Sequence, residues 1–235
     1  MKTVRSAWFA LFLAAWPALA QAQAYQCRVP GAVSVPEIRP DGPRRSVPVT
    51  GYTLALSWSP EFCRTRAKER AHARQCSGRG GTFGFIVHGL WPDGARSWPQ
   101  WCPTKARPTG REIAGQLCRS PSARLVARQW AKHGACMVRR PETYLNVTNI
   151  LFDSLRWPDF DRLSRKDDLT ANDVREWFVM ANRGWRAEAV GVRLNARGWL
   201  TELRLCYDSR FRPARCDRQR YGAADAAPVR IWRGL

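Results

Sequence analysis

The sequence predicts an α+β fold that is held by disulfide bonds. Segments in which apolar and polar residues alternate, as in β-strands, are interspersed with segments of helical periodicity. They do not follow the regular strand–helix–strand order of a parallel sheet, and this favours the α+β class. The chain also has eight cysteines, an even number that predicts four disulfide bonds in an exported protein.

The first 24 residues have the pattern of a secretory signal peptide. Lys2 and Arg5 precede an apolar stretch, AWFALFLAAWPALA, which is followed by the small-residue cleavage signal AQA at 22–24. A membrane anchor is the alternative, but the apolar run is short for a bilayer span and Pro17 interrupts it. We therefore expect residues 1–24 to be removed and the mature protein to be exported, either to the periplasm or to the medium.

The mature chain is predicted to form one domain preceded by an arm. Cleavage after Ala24 leaves 211 residues, which is enough for one domain with a substantial core. Residues 25–50 are rich in proline and lack periodicity, so we interpret them as an extended N-terminal arm. We assign residues 51–235 to a single domain. No segment after the signal peptide is long and apolar enough to span a membrane. We expect the mature protein to be a monomer.

Three segments are predicted to be strands, because their apolar residues alternate with polar ones or form a short run bounded by turn residues. They are YTLALSWSP at 52–60, TFGFIVHGLW at 82–91 and WLTELRLCYD at 199–208. The polar segment CRTRAKERAHARQCSGRGG, which separates the first two strands, is predicted to be a loop or a short helix.

Three further segments have helical periodicity. In the first of them, Ser120 is predicted to cap the helix, Pro121 fits its first turn and Gly134 ends it. Thr170 and Gly184 are predicted to begin and end the third helix. The segments are PSARLVARQWAKHG, PETYLNVTNILFDSL and TANDVREWFVMANRG.

The charge of the chain indicates an anionic partner. The formal net charge is +20, and it falls to +18 when Lys2 and Arg5 are removed. Of the 39 basic residues 34 are arginine, whose planar guanidinium binds phosphate at two points. Nucleic acid is the first candidate, and a membrane surface or an acidic polysaccharide is the second. A GC-rich genome would equally explain the preference for arginine over lysine, although it explains the net charge less well.

Two histidines have settings that suggest chemistry. His88 lies in FGFIVHGLWPDG between an apolar run and a turn, where a buried polar ring costs desolvation unless it is paired. His133 lies in the last turn of a predicted helix, one turn after Gln129. Lys132 precedes it and Arg128 lies one turn before that lysine, so a titratable ring and two cations share a small volume. Taken alone, His133 would simply satisfy the helix dipole.

This set of groups suits the cleavage of RNA without a metal ion. The 2′-hydroxyl attacks the adjacent phosphorus, so one group must take the hydroxyl proton and another must protonate the leaving 5′-oxygen. Imidazole suits both tasks because its pKa lies near neutrality, and nearby cations stabilise the negative charge of the transition state. The third histidine, His72, lies in a polar loop and is interpreted as a solvated surface residue. No CxxC pair or Cys/His cluster has the spacing of metal ligands, so we predict no metal and no cofactor.

Two segments resemble the active-site segments of the ribonuclease T2 family. FIVHGLWPDG is similar to the first of these segments and RQWAKHGAC to the second, and they occur in the family's order. LALSWSPEFC resembles the family's first core strand, and LRLCYDSRFRPARC resembles its C-terminal strand pair closed by a disulfide. The resemblance therefore extends from Tyr52 to Cys216.

The resemblance implies a central antiparallel sheet with several packed helices. It also implies an endoribonuclease that cleaves single-stranded RNA by transesterification through a 2′,3′-cyclic phosphate without a metal ion. His88 and His133 match the catalytic pair, and Lys132 matches the lysine that stabilises the transition state. Trp91 and Asp93 match positions that help to hold a base, and an indole face can stack on any base. A tryptophan of the hydrophobic core is the alternative for Trp91.

The chain departs from the family at two positions of the second segment. The family usually has His-Glu where this chain has Arg128 and Gln129. Arg128 can still bind a phosphate oxygen. Gln129 keeps the shape of a glutamate but lacks the charge that would help to place Lys132 and His133, so this change concerns the rate and not the fold.

The resemblance also suggests how the cysteines pair. We predict that Cys136 pairs with Cys102 and thereby holds the active-site helix. The other predicted pairs are Cys206–Cys216, Cys63–Cys76 and, as the pair that remains, Cys27–Cys118.

Two classes of function stay open on the sequence alone. The first is an active exported ribonuclease. The second is a degenerate family member that binds RNA or another polyanion without turnover, and the difference depends on Gln129. A cationic toxin or an envelope-binding protein would explain the arginine content but not the two histidine segments.

Overall fold

The computed structural model describes residues 24–234. The predicted signal peptide, residues 1–24, lies outside this range except for Ala24. Within the range, no helix combines the length and the apolar character that a bilayer span requires.

Between residues 24 and 234 the chain forms four strands, eight α-helices and three short 3₁₀ helices. The strands are β1 (Gly51–Trp58), β2 (Phe85–Asp93), β3 (Val190–Leu194) and β4 (Leu200–Asp208). The α-helices are α1 (Ser59–Cys63), α2 (Ala73–Cys76), α3 (Gly110–Gln116), α4 (Ala123–Lys132), α5 (Pro141–Asp153), α6 (Phe160–Leu163), α7 (Ala171–Ala181) and α8 (Arg218–Tyr221). The 3₁₀ helices are Arg70–His72, Gly134–Cys136 and Ala187–Ala189.

The four strands form one antiparallel sheet in the order β2-β1-β4-β3. This arrangement confirms the predicted α+β class and its central antiparallel sheet. Three of the strands lie in the segments that the sequence predicted to be strands, whereas β3 was not predicted. The segment that resembles a C-terminal strand pair contains only one strand, since β4 is followed by a turn with a single bridge between Tyr207 and Pro213.

The two faces of the sheet have different uses. Side chains alternate between the faces along a strand, and the residues of one face are buried leucines. These are Leu54, Leu56, Leu203 and Leu205, all fully buried. On this face the sheet shares the hydrophobic core with α4, α5 and α7, through side chains such as Trp130, Tyr144 and Phe178. Residues at the alternate positions, including Thr53, Glu202 and Arg204, belong to the opposite face, and there they line two cavities.

The helix α4 begins later than the sequence predicted. Ser122 caps it, because its hydroxyl accepts a hydrogen bond from the backbone N–H of Leu125, so the expected cap Ser120 lies outside the helix. Both residues are good caps, and the helix takes the one that follows Pro121. The predicted start of α7 is confirmed, since Thr170 forms a capping box there.

Four disulfides connect loops to these elements. The structure pairs Cys27 with Cys118, Cys63 with Cys76, Cys102 with Cys136 and Cys206 with Cys216. The third pair joins the turn that follows α4 to the loop that follows β2, so it holds the C-terminal end of that helix.

The N-terminal arm, residues 25–50, is irregular backbone that lies against the domain. Isolated bridges connect Tyr25 with Thr82 and Arg45 with Gln100. The arm therefore has fixed contacts at both of its ends.

Candidate active site

One cavity of about 380 Å³ brings together every residue that the sequence predicted to be catalytic or to bind the substrate. The cavity lies between the face of the sheet opposite the core and the end of α4. Its lining includes His88, Trp91, Asp93, Arg128, Gln129, Lys132 and His133.

His88 lies at a β-bulge in β2. Ala55 of β1 pairs with Gly89 and the next residue, Leu56, pairs with Val87, so His88 has no partner across the strand. A bulge bends its strand and redirects the side chain of the extra residue. The side chain of His88 is 34% exposed and lines the cavity. The bulge thus takes the imidazole out of the buried surroundings that its neighbours in the sequence predicted.

A carboxylate from β4 binds His88. The Nδ1 atom of His88 lies 2.7 Å from Oε2 of Glu202, and Oε1 of Glu202 accepts a hydrogen bond of 2.8 Å from Nε of Arg204. Burial by itself raises the pKa of Glu202, but the hydrogen bond with His88 and the charge of Arg204 hold that pKa below its ordinary value. Because Nδ1 of His88 is occupied, Nε2 is the nitrogen that can exchange a proton with a substrate.

The end of α4 supplies the second group of side chains. Arg128 and Lys132 are one turn apart, as are Gln129 and His133, so the four residues share one side of the helix end. The opposite side of the helix is in the core, where Trp130 is 1% exposed.

The side chain of Gln129 forms a hydrogen bond with that of Trp91. Its Oε1 atom accepts a hydrogen bond of 2.8 Å from the indole Nε1, and Gln129 is only 4% exposed. This contact has room because residue 89 is a glycine, since a Cβ atom there would lie 2.7 Å from the indole Nε1. On the sequence alone residue 129 was predicted to act on Lys132 and His133, whereas in the structure its carbonyl oxygen accepts the hydrogen bond from the tryptophan.

Trp91 lies close to both histidines. Its ring centroid is 5.2 Å from that of His88, with the rings edge to face, and 5.7 Å from that of His133. The guanidinium of Arg204 lies 5.4 Å from the same indole. The indole therefore packs against both imidazoles and lines the cavity with them.

His133 is buried and has a strongly shifted pKa. It is 7% exposed, and its Nδ1 atom has no hydrogen-bond partner within residues 24–234. Burial and, secondly, the charges of Lys132 and Arg128 lower the pKa of this imidazole from 6.5 to about 3. His88 acts in the same direction and Asp41 opposes it. The ring is therefore neutral at neutral pH and can accept a proton.

The two cations of α4 contact a residue of the arm. Asp41 accepts hydrogen bonds from Nη2 of Arg128 and, at 3.2 Å, from Nζ of Lys132. The bond from Arg128 is the main cause that lowers the pKa of Asp41 to about 2; burial opposes it, and the bond from Lys132 acts in the same direction as the bond from Arg128. The sequence of the arm had suggested no function for it.

Asp93 also lines the cavity, and its carboxylate has two polar contacts. Its Oδ2 atom accepts a hydrogen bond of 2.7 Å from Oγ1 of Thr53 and pairs with Arg220 of α8. Burial raises the pKa of Asp93, although both contacts act in the opposite direction. A carboxylate that is already bonded on one oxygen presents a fixed acceptor to a ligand.

A second cavity, of about 680 Å³, adjoins the first at His88 and Arg204. Three further arginines line it, namely Arg66, Arg193 and Arg197. The two cavities together form a groove that continues on both sides of His88. Such a groove is long enough to suit a ligand with several phosphates.

His72 differs from its predicted setting. The side chain is 30% exposed, pairs with Glu69 at 3.4 Å and packs edge to face against Phe62. It is thus partly buried and not a fully solvated residue. Over the described part of the chain, no group of three or more His, Cys, Asp or Glu side chains is arranged to hold a metal ion.

The site contains four residues that the sequence analysis missed: Asp41, Glu202, Arg204 and Arg220. Glu202 had a detectable signal, since it is an acidic residue at a position of β4 that alternates with the buried residues Leu203 and Leu205. Asp41 had none, because its position depends on the path of an irregular arm.

Comparisons with known sequences match the part of the chain that contains both histidine segments. The sequence model of the Ribonuclease T2 family matches residues 50–167. A probable ribonuclease of Haemophilus influenzae is 33% identical over 190 residues, which cover 74% of this chain and 64% of that protein. Ribonuclease I of Escherichia coli is 24% identical over 196 residues, covering 66% of this chain and 73% of that protein. The chain thus spans slightly less than two thirds of the Haemophilus relative.

Solved structures share the fold. Trichomaglin, described as an S-like ribonuclease, superposes with a TM-score of 0.59 and 21% identity over 78% of this chain and 97% of its own. A self-incompatibility-associated ribonuclease of Nicotiana alata gives a TM-score of 0.57 and 20% identity over 79% of this chain and 100% of its own. Because the family's sequence model covers half of the chain and includes both histidine segments, the chain belongs to the Ribonuclease T2 family.

Proposed function

We propose that this protein is an exported endoribonuclease that cleaves single-stranded RNA without a metal ion, through a 2′,3′-cyclic phosphate. The observation that carries the proposal is the cavity that is lined by His88, His133 and Lys132 together, with the indole of Trp91 close to both imidazoles. Two proton-transfer groups and fixed cations in one cavity meet the needs of this reaction. The four disulfides support export, since such bonds persist in oxidising compartments.

In the proposed mechanism His133 is the general base and His88 is the general acid. The lowered pKa keeps His133 neutral, so its imidazole can take the proton of the 2′-hydroxyl. The 2′-oxygen then forms a bond to phosphorus while the bond from phosphorus to the 5′-oxygen breaks. His88 donates a proton to the departing oxygen, and a carboxylate such as Glu202 at the far nitrogen stabilises an imidazolium before it donates.

The cations of α4 act on the phosphate in this proposal. The transition state places extra negative charge on the phosphoryl oxygens, and Lys132 and Arg128 line the cavity in which those oxygens would lie. Lys132 is additionally placed by the backbone, because its carbonyl oxygen accepts a hydrogen bond of 2.8 Å from the N–H of Trp101.

The groove is proposed to hold RNA on both sides of the scissile phosphate. Trp91 and Asp93 line the first cavity and remain the proposed contacts for one base. The arginines of the second cavity suit the phosphates of the neighbouring nucleotide, because guanidinium groups bind phosphate at two points.

A degenerate RNA-binding protein is the second candidate, and a specific observation supports it. Gln129 is neutral and its Oε1 is engaged by Trp91, so it adds no negative charge beside Lys132 and His133. RNA would then bind to the arginines of the groove without turnover.

The decisive experiment is digestion of a dinucleotide and of total RNA by the mature chain in the presence of EDTA. We expect cleavage that EDTA does not change, products that carry a 2′,3′-cyclic phosphate, and loss of both in the variant His133→Ala. A requirement for a divalent metal would contradict the mechanism. Binding of RNA without cleavage, by a protein with a normal circular dichroism spectrum, would support the second candidate.

A further inference from the structure

The arm residue Asp41 contacts both cations at the end of α4, Arg128 and Lys132. We propose that Asp41 is a positioning residue of the active site: its carboxylate holds Arg128 and Lys132 in the arrangement that receives the scissile phosphate. The N-terminal arm is then a part of the catalytic unit. This inference rests on the proposed ribonuclease function.

The cations need a partner because they repel each other. Arg128 and Lys132 are one turn apart, and like charges at this spacing destabilise a helix and push the side chains away from one another. Gln129, on the same side of the helix, is neutral and spends its carbonyl oxygen on Trp91. Among the described residues, Asp41 is the carboxylate that pairs with either cation, and it pairs with both.

The carboxylate is held in place although it comes from an irregular segment. Before Asp41, the N–H of Val33 donates a hydrogen bond of 3.2 Å to the carbonyl oxygen of Gly110. After it, Arg45 and Gln100 exchange two backbone hydrogen bonds of 2.9 Å. The disulfide between Cys27, at the start of the arm, and Cys118, in the turn that follows α3, adds a covalent link. A carboxylate fixed from both sides can orient the cations with little loss of entropy during the reaction.

The position of Asp41 favours support of the cations over competition with the substrate. Arg128 and Lys132 line the cavity, whereas Asp41 does not. The carboxylate is therefore not part of the cavity wall, and Arg128 and Lys132 keep 31% and 20% of their side chains exposed while they pair with it. A carboxylate that competed with the substrate would itself lie among the lining residues.

The test compares Asp41→Asn with a matched variant of the same arm. Asp41→Asn keeps the size of the side chain and removes its charge. Glu37→Gln removes one charge from the same arm, but Glu37 is exposed and pairs only with Arg39 within the described chain. With a dinucleotide substrate, we expect Asp41→Asn to lower kcat about tenfold, with KM not improved, because the cations lose their alignment in the transition state. Glu37→Gln should match the wild type, and Asp41→Glu should recover most of the turnover.

Two further readouts distinguish positioning from a general structural effect. In a Lys132→Ala background, Asp41→Asn should cost clearly less than in the wild type, since a residue that acts through Lys132 is not additive with it. The second readout is the pH profile of kcat/KM. The groups that face His133 are Lys132, Arg128, His88 and Asp41, of which only Asp41 raises its pKa, so Asp41→Asn should move the acid limb to lower pH.

The outcomes separate this inference from the proposed function. An inactive wild type overturns the proposed function and, with it, the role of Asp41. An active wild type with an unchanged Asp41→Asn variant overturns only the role of Asp41. A variant with higher kcat and lower KM would show that Asp41 competes with the phosphate, and positioning would again be wrong.

Discussion

The Nδ1 atom of His88 and the Oε2 atom of Glu202 are 2.7 Å apart, although they belong to strands that are not neighbours in the sheet. The strand β1 lies between them and contributes Ala55 and Ser57 to this face. These side chains are small, and together with the bulge at His88 they leave room for the contact to cross a whole strand. The carboxylate of Glu202 therefore occupies the Nδ1 side of His88, and the substrate would approach the imidazole on its Nε2 side.

Replacement of Glu202 by glutamine should lower kcat by about tenfold to a hundredfold, because Gln keeps the shape but does not stabilise a protonated His88. Turnover of a dinucleotide measures this. Glu176→Gln is the control, since Glu176 is exposed on α7, away from the cavity. Equal turnover of both variants would mean that Glu202 has only a structural role.

Replacement of either His88 or His133 by alanine should lower cleavage at least about a hundredfold, the usual effect of losing a placed acid or base. Both variants should keep the circular dichroism spectrum of the wild type. A variant that retains most of its activity would remove that histidine from the mechanism.

The variant Gln129→Glu should raise turnover and shift the activity profile to higher pH. A carboxylate beside His133 opposes the burial and the cations that lower its pKa to about 3, so the pKa of His133 rises. If neutral His133 is the base, kcat/KM increases as the pH rises through this pKa, and a higher pKa moves the acid limb to higher pH. Rates across acid to neutral pH measure the shift.

The control for this variant is Gln26→Glu, which adds the same charge at an exposed position of the arm. Lower turnover of a folded Gln129→Glu protein at every pH would have another meaning. It would indicate that the new carboxylate draws Arg128 or Lys132 away from the phosphate, so that the neutral glutamine is the better partner.

Affinity for RNA should fall steeply as the salt concentration rises. Each phosphate that the protein neutralises releases counterions, so the logarithm of the binding constant falls linearly with the logarithm of the salt concentration. Arg193→Ala and Arg197→Ala, in the second cavity, should each lower the slope by up to about 1. Affinity that is flat between low and moderate salt would show that the net charge has no role at the substrate.

The variant Gly89→Ala should lower both stability and activity. A Cβ atom at residue 89 would collide with the side chain of Gln129 and lie 2.7 Å from Nε1 of Trp91. Overpacking of this kind costs about 1–3 kcal/mol, and it separates the indole from its partner. Urea denaturation measures the loss. Gly115→Ala in α3 is the control, because its Cβ atom would have nothing within 4 Å and alanine favours the helix.

Local sequence predicted much of this site. His88 and His133 could be identified from the residues that surround each of them in the sequence. Lys132 and Arg128 could be added to the site because helical spacing places them near His133. Three of the four strands were predicted, β1 and β4 because their residues alternate and β2 because it begins as an apolar run bounded by turn residues. The strand β3 has only five residues, too few for alternation to be distinguished from chance.

The remaining parts of the site depend on contacts between distant residues. Glu202 meets His88 across 114 positions of the chain, and Asp41 meets Lys132 across 91. The register of the sheet and the path of the arm decide such contacts, and neither leaves a local pattern. The bond between Gln129 and Trp91 is of the same kind.

The bulge at His88 makes the number of residues between Val87 and Leu90 as important as their identity. Val87 and Leu90 both face the core, opposite Leu56 and Leu54, although three positions separate them, because the extra residue of the bulge corrects the alternation. Deletion of one residue between them would leave Val87 and Leu90 two positions apart with the same partners, so the core face would persist, but the bulge that directs the imidazole of His88 would be lost. The length of this segment is therefore a requirement of the site and not of the core.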